Sequence, residues 1–155
     1  MMIAIEADRL VKRFGPLTAV DELTLAIRPG EIFGFLGPNG SGKSTTIRML
    51  CGILLPTSGA ARIMGHDVQR HPDRIKPLIG YMSQSFGLYS DLTVEENLWF
   101  YSRLYLPGRE ARERAEAMVR SLGFEPYRKS LAAQLSGGWR QRLALGCALV
   151  HDPQI

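Results

Sequence analysis

Cysteine is scarce in this chain: only Cys51 and Cys147 occur, with no CxxC spacing and no histidine pair beside them. That argues against a disulfide framework and a zinc site, and leaves two reduced thiols in a core. Long apolar runs are also missing. The longest unbroken stretches, such as Leu143 to Val150, fall far short of the roughly 20 residues a membrane span needs, so any work at a membrane requires another chain to cross it. The N-terminus reaches Glu6 and Asp8 before any long apolar segment and does not read as a secretory signal. There is no internal repeat, no low-complexity linker and no tract of like charge. The net charge of +4 is spread along the chain; it permits contact with acidic lipid, nucleic acid or nucleotide and selects none of them. What remains is a globular chain of 155 residues with 45% hydrophobic content, enough for one substantial core and at most a small added subdomain.

Changes of hydrophobic period divide the chain. Leu23, Leu25 and Ile27 alternate with Thr24, Ala26 and Arg28, the pattern of a strand with one buried face, and Pro29-Gly30 then turns the chain. Ile32 to Leu36 is apolar on both faces, as expected of a central strand in a covered parallel sheet. Lys43 to Leu50 suits a helix, and short strands are expected at Ala60 to Met64, after the turn Pro56-Thr57-Ser58-Gly59, and at Ile79 to Met82. Beyond residue 90 the pattern is helical. Thr93 and Glu96 form a capping box for a helix carrying Val94, Leu98, Tyr101 and Tyr105 on one face, until Pro107-Gly108 stops it. A second helix, Arg109 to Leu122, ends at Gly123; a third begins at Ser136, shows the stripe Trp139, Leu143, Cys147 and Val150, and stops at Asp152-Pro153. The order reads as an α/β core with an inserted helical subdomain.

Gly37-Pro38-Asn39-Gly40-Ser41-Gly42-Lys43-Ser44 matches GxxxxGK[ST] in full, between an expected strand and an expected helix. In such a loop glycines let successive N–H groups turn toward phosphate oxygens, and the following helix adds its positive end. A side chain at Gly40 or Gly42 would block that approach. Lys43 is placed to reach the β- and γ-phosphates and the Ser44 hydroxyl to ligate Mg²⁺. The loop alone specifies a nucleoside triphosphate and no more, because GTPases, kinases, motors and transporter ATPases share it. A second feature narrows the choice. Leu135-Ser136-Gly137-Gly138 opens the last helix, and a serine N-cap followed by two glycines exposes backbone N–H groups at a helix start, a second anion site without a lysine of its own.

With both features on one chain, the sequence resembles the nucleotide-binding domain of ABC transporters from about Ile3 to Ile155. Residues 37 to 45, ending at Thr45, resemble the family's Walker A loop, Leu135 to Gly138 its signature, and Gln84 in Tyr81-Met82-Ser83-Gln84 its Q-loop. The resemblance implies an α/β P-loop NTPase of the RecA-like kind, with an N-terminal antiparallel β subdomain and an inserted α-helical subdomain. It assigns residues 1–84 to the β subdomain and P-loop core and 85–150 to the mainly helical signature subdomain. ATP and Mg²⁺ are the implied ligands. Phe14 stacks on adenine, Gln84 contacts Mg²⁺ and the attacking water beside the surface that meets the membrane domain, and Ser136, Gly137 and Gly138 grip the ATP of a second nucleotide-binding domain paired head to tail. The implied partners are that domain and an integral-membrane permease, with the protein peripheral on the cytoplasmic face and no nucleic acid expected.

Two departures qualify the match. Position 139 is tryptophan where the family usually has glutamine, a variant resembling the branch that exports drugs, polymers or haem-related cargo. The family's Walker B aspartate, catalytic glutamate and switch histidine, which would follow near Ile155, are not among these residues, and Asp152-Pro153 reads as a helix stop. The expectation is therefore an ATP-hydrolysing subunit energising a transporter, an exporter by its signature, on a chain whose own hydrolysis is in doubt. Alternatives are a soluble ABC ATPase acting on ribosomes or DNA, for which too little sequence separates Lys43 from Leu135 to hold a coiled coil or zinc modules, and a fragment that binds nucleotide without turnover. A strand at Ile32 to Leu36 also demands paired neighbours, which family strands after residue 155 would supply.

Overall fold

The computed structural model describes residues 3–83 and 87–155. Contacts divide the chain into two units: the first runs to Ile79 and takes up Ile155, and the second is Gly80–Gln154.

The first unit is built on an antiparallel sheet. Strand β1 (Ile5–Phe14) pairs with β2 (Leu17–Ile27) on one side and β3 (Ser58–Ile63) on the other, and a short β4 (His66–Asp67) completes the order β2-β1-β3-β4. The alternation read in residues 23 to 27 holds, with Ile27 buried and Leu23 and Leu25 half-buried. In β1 the alternation breaks, since Leu10 and Val11 are both buried. Register shifts on both sides of this stretch, and Arg9 at φ 44°, mark a bulge that supplies the extra residue. Helix α1 (Lys43–Leu50) keeps its expected bounds and buries Thr46, Met49 and Leu50. The core joins Leu10, Met49, Leu50, Ile63 and Ile75, the last on the short helix α2 (Pro72–Ile75).

The expected strand at Ile32 to Leu36 is not formed. No described strand pairs with it, Ile32 is fully exposed, Leu36 is 96% exposed, and only Phe35 packs on the core. Apolarity on both faces makes a central strand only when neighbours supply its hydrogen bonds and cover its faces. Ile79 to Met82 likewise forms no strand: Ile79 is extended and buried, while Tyr81 and Met82 are partly exposed.

The second unit is helical. α3 (Val94–Arg103) starts at the expected capping box, with the Glu96 N–H donating to Thr93 Oγ1 at 3.2 Å and the Thr93 N–H to Glu96 Oε2 at 2.8 Å. It stops at Arg103, short of Pro107, where the bonds tighten to i−3 spacing: the Leu104 N–H donates to the Tyr101 carbonyl at 3.2 Å and the Tyr105 N–H to the Ser102 carbonyl at 3.1 Å. Tyr105 therefore leaves the helix, and its ring stacks on His151 at 3.9 Å. α4 (Gly108–Ser121) buries Ala111, Ala115 and Val119. It closes through Gly123 at φ 72°, with the Phe124 N–H on the Val119 carbonyl at 2.8 Å. α5 (Gly137–Leu149) buries Leu143 and Cys147 beside Leu98, Val119 and Phe124. Gly146 permits this contact, since a Cβ there would lie 2.6 Å from Leu122 Cδ1 and 3.2 Å from Leu98 Cδ2. Arg128 ties α3 to α4 through Glu95 at 2.8 Å and Glu116 at 2.6 Å. Burial raises the Cys51 thiol to about 11 and Cys147 to about 12, so both are protonated and inert near neutrality.

Candidate functional site

The loop between β2 and α1 is exposed from Gly37 to Ser41, so its backbone is open to a ligand. Lys43 closes it from within: its ammonium donates to the carbonyls of Gly37 and Pro38, each at 2.6 Å, and lies 3.3 Å from Ser41 Oγ. Three acceptors gathered around one ammonium fix its position on the inner side of the loop. The start of α1 lacks the usual closure. Gly42 is the N-cap and has no side chain to accept the first-turn N–H groups, and no acidic residue occupies that turn. Ser44 is exposed and Thr45 half-buried in that turn. An unclosed helix start beside a fixed ammonium favours a polyanion.

Gly42 has a second reason to be glycine. Its φ is 86°, and a Cβ would lie 2.3 Å from the Ala19 carbonyl oxygen of β2, so any side chain strains the backbone and collides with the sheet. This packing also locates Phe14. Leu17, two residues before Ala19 on β2, pairs with Phe14 across the hairpin. Phe14 thus sits at the same end of the hairpin as Ala19, the residue against which Gly42 packs. Phe14 is 47% exposed, which removes the reading of it as a core phenylalanine. Lys12 is a residue that the motifs did not single out: its ammonium lies 5.1 Å from the Phe14 ring centre. The available signal was their spacing of two on one strand, which puts both on one face.

In the second unit, Ser136 is the N-cap of α5 and accepts the Trp139 N–H at 3.5 Å, a long contact. Gly137 and Gly138 have ordinary negative φ, and a Cβ on either would meet nothing within 4 Å. No internal packing or backbone strain requires glycine there. The open surface above them is where an outside group can approach the backbone closely. α3 offers a contrast: its helix start is filled by the chain's own Glu96 carboxylate, whereas the first turns of α1 and α5 hold no acid. Trp139 packs against Phe124 and Tyr127, with ring centres at 5.0 and 4.8 Å, and Arg142 stacks on it at 4.6 Å. Its ring is thus held within its own unit, and Ser136 and Gly138 remain exposed.

The first unit carries Phe14, the loop from Gly37 to Gly42, Lys43, Ser44 and Thr45; the second carries Ser136, Gly137 and Gly138. Gln84 lies outside the described residues. No group of three or more histidine, cysteine or acidic side chains suited to a metal ion occurs among the described residues, and no helix among them is long and apolar enough to cross a membrane.

Known proteins resemble this chain in sequence and in fold. The family profile described as ABC transporter matches residues 20–155. The chain is 46% identical over 152 residues to the probable multidrug ABC transporter ATP-binding protein YbhF of Escherichia coli (strain K12), covering 97% of this chain and 26% of that protein. It is 38% identical over 153 residues to the Nod factor export ATP-binding protein I of Paraburkholderia xenovorans (strain LB400), covering 98% of this chain and 50% of that one. Among solved structures, the dimeric structure of MJ0796, a bacterial ABC transporter cassette, superposes with a TM-score of 0.86 at 28% identity, over 96% of this chain and 70% of that one. The chain therefore spans between a quarter and a half of the length of these two curated relatives.

Proposed function

The chain belongs to the ABC transporter family, whose ATP-binding domains are ATPases, and we propose that it binds ATP as part of the subunit that energises an exporter at the cytoplasmic face of a membrane. The observation that carries the reading is the unclosed start of α1 with Lys43 held on the inner side of its loop.

On this reading phosphate oxygens replace the carbonyls of Gly37 and Pro38 as acceptors of the Lys43 ammonium. The N–H groups of Gly40 to Thr45 converge on the β-phosphate, and Asn39 and Ser41 line the loop's mouth. Phe14 receives the adenine. The Ser44 hydroxyl would hold Mg²⁺ together with phosphate oxygens and water, a donor set that suits this ion, which keeps several waters and needs few protein ligands; bound there, it would supply charge neutralisation. Gln84 is proposed to approach the same ion and the attacking water. Ser136, Gly137 and Gly138 present their backbone to the γ-phosphate held by a second domain, which accounts for two glycines that their own unit does not require. Export follows the names of the relatives, and a membrane-spanning permease is the partner, with nucleic acid playing no part.

Titration with a fluorescent ATP analogue tests this reading. Lys43→Ala is expected to lower the affinity of the monomer by about tenfold or more, the scale of one lost charge-assisted contact, while Ser136→Ala leaves it unchanged. Equal losses would show that the α5 start serves its own chain's nucleotide and would refute the head-to-tail arrangement.

A further inference from the structure

Lys12 carries two contacts that hold its ammonium in one place. It donates to the Leu55 carbonyl at 2.7 Å and lies 5.1 Å from the Phe14 ring centre. The end of β1 is also tied to the turn that follows Leu55, through the Arg13 N–H on Thr57 Oγ1 at 2.9 Å and the Thr57 N–H on the Val11 carbonyl at 2.8 Å. Phe14 stands at the end of this anchored strand, half exposed.

We infer that Lys12 is a positioning residue for the nucleobase: it covers one face of Phe14 and presents the other, already oriented, to the purine of ATP. The inference rests on the reading of Phe14 as the base platform and deepens it. An ammonium over one ring face draws electron density toward itself, so the opposite face is less negative and stacks better against an electron-rich purine. A side chain held in its binding orientation also loses less freedom when the base arrives. Lys12 acts through Phe14 and does not touch phosphate, which separates it from Lys43.

The test uses the 155-residue chain with two probes, ATP and inorganic tripolyphosphate, each competing against a fluorescent ATP analogue. Lys12→Met, which keeps the stem and removes the charge, is expected to weaken ATP about two- to fivefold, the range set by an exposed cation–π contact, and to leave tripolyphosphate unchanged. Lys12→Arg is expected to restore ATP affinity. In the Phe14→Ala background Lys12→Met is expected to have no further effect on ATP. Equal weakening of ATP and tripolyphosphate would overturn the proposal, because Lys12 would then contact phosphate. So would unchanged ATP affinity in Lys12→Met where Phe14→Ala alone weakens ATP. If Phe14→Ala leaves ATP binding intact, the platform reading itself falls and takes this one with it, an outcome distinct from failure at Lys12 alone.

Discussion

Replacing Ile32 and Leu36 together by serine measures whether the apolar run before the phosphate loop is packed. Both side chains are essentially fully exposed, Leu36 at 96%. A buried isoleucine or leucine contributes about 1.5–3 kcal/mol, so a packed run would lose roughly 3–6 kcal/mol on double substitution, a large share of the roughly 5–15 kcal/mol that stabilises a domain. At about 4–8 °C per kcal/mol for a small unit, the melting temperature would fall by at least about 12 °C. Exposed substitutions stay within about 0.5 kcal/mol each, so the structure predicts a shift of only a few degrees by calorimetry. It also predicts less self-association, because Ile32, Phe33 and Leu36 are exposed apolar side chains on a segment that no described strand pairs with. Sedimentation at several concentrations should show the wild-type chain associating and the double variant more monomeric. A fall above about 10 °C, or association that the substitutions leave untouched, would refute the reasoning.

Two further outcomes are expected. Gly42→Ala should destabilise the first unit by roughly 1–3 kcal/mol even without nucleotide, because its Cβ would lie 2.3 Å from the Ala19 carbonyl; an unchanged melt of the nucleotide-free chain would show that the loop adapts freely. The Glu96 carboxyl is held below its ordinary value of 4.5, first by the Thr93 backbone N–H and then by the Thr93 hydroxyl. Its stabilising contribution is complete above that ordinary value and lost as pH falls through the lower folded one, so the wild type should lose stability more steeply than Glu96→Gln below about pH 4.5, and superimposable acid profiles would refute the capping role.

Local chemistry was legible in the sequence and non-local pairing was not. The phosphate loop, the bounds of α1, the Thr93–Glu96 box and the N-cap at Ser136 depend on residues within a turn of one another, so their spacing sufficed. Ile32 to Leu36 failed because an apolar run is a strand only where other segments pair with it. Tyr105 continued a helical stripe, yet the chain left the helix as the bonds of Leu104 and Tyr105 tightened to i−3 spacing. The anchoring of Trp139 joins residues more than ten apart, and the packing of Gly42 on Ala19 spans more than twenty. Lys12 could have been found from its spacing to Phe14, but nothing local ties it to Leu55.

In the first unit, the Ile155 N–H donates to the Leu78 carbonyl at 3.0 Å, so the residues where the chain leaves for the helices and where it returns are neighbours. In the second, a Cβ on Gly80 would lie 2.6 Å from the Ala148 carbonyl and 3.0 Å from Pro153, so its two ends are neighbours as well. A segment entered and left at one point is a cassette in the genetic sense. Recombination could exchange it between relatives, or an engineer could excise Gly80–Gln154 and join Ile79 to Ile155 by a short linker, without redrawing the sheet. The helical surface could then change by replacement of one block of residues, while the sheet and the loop before α1 are inherited intact.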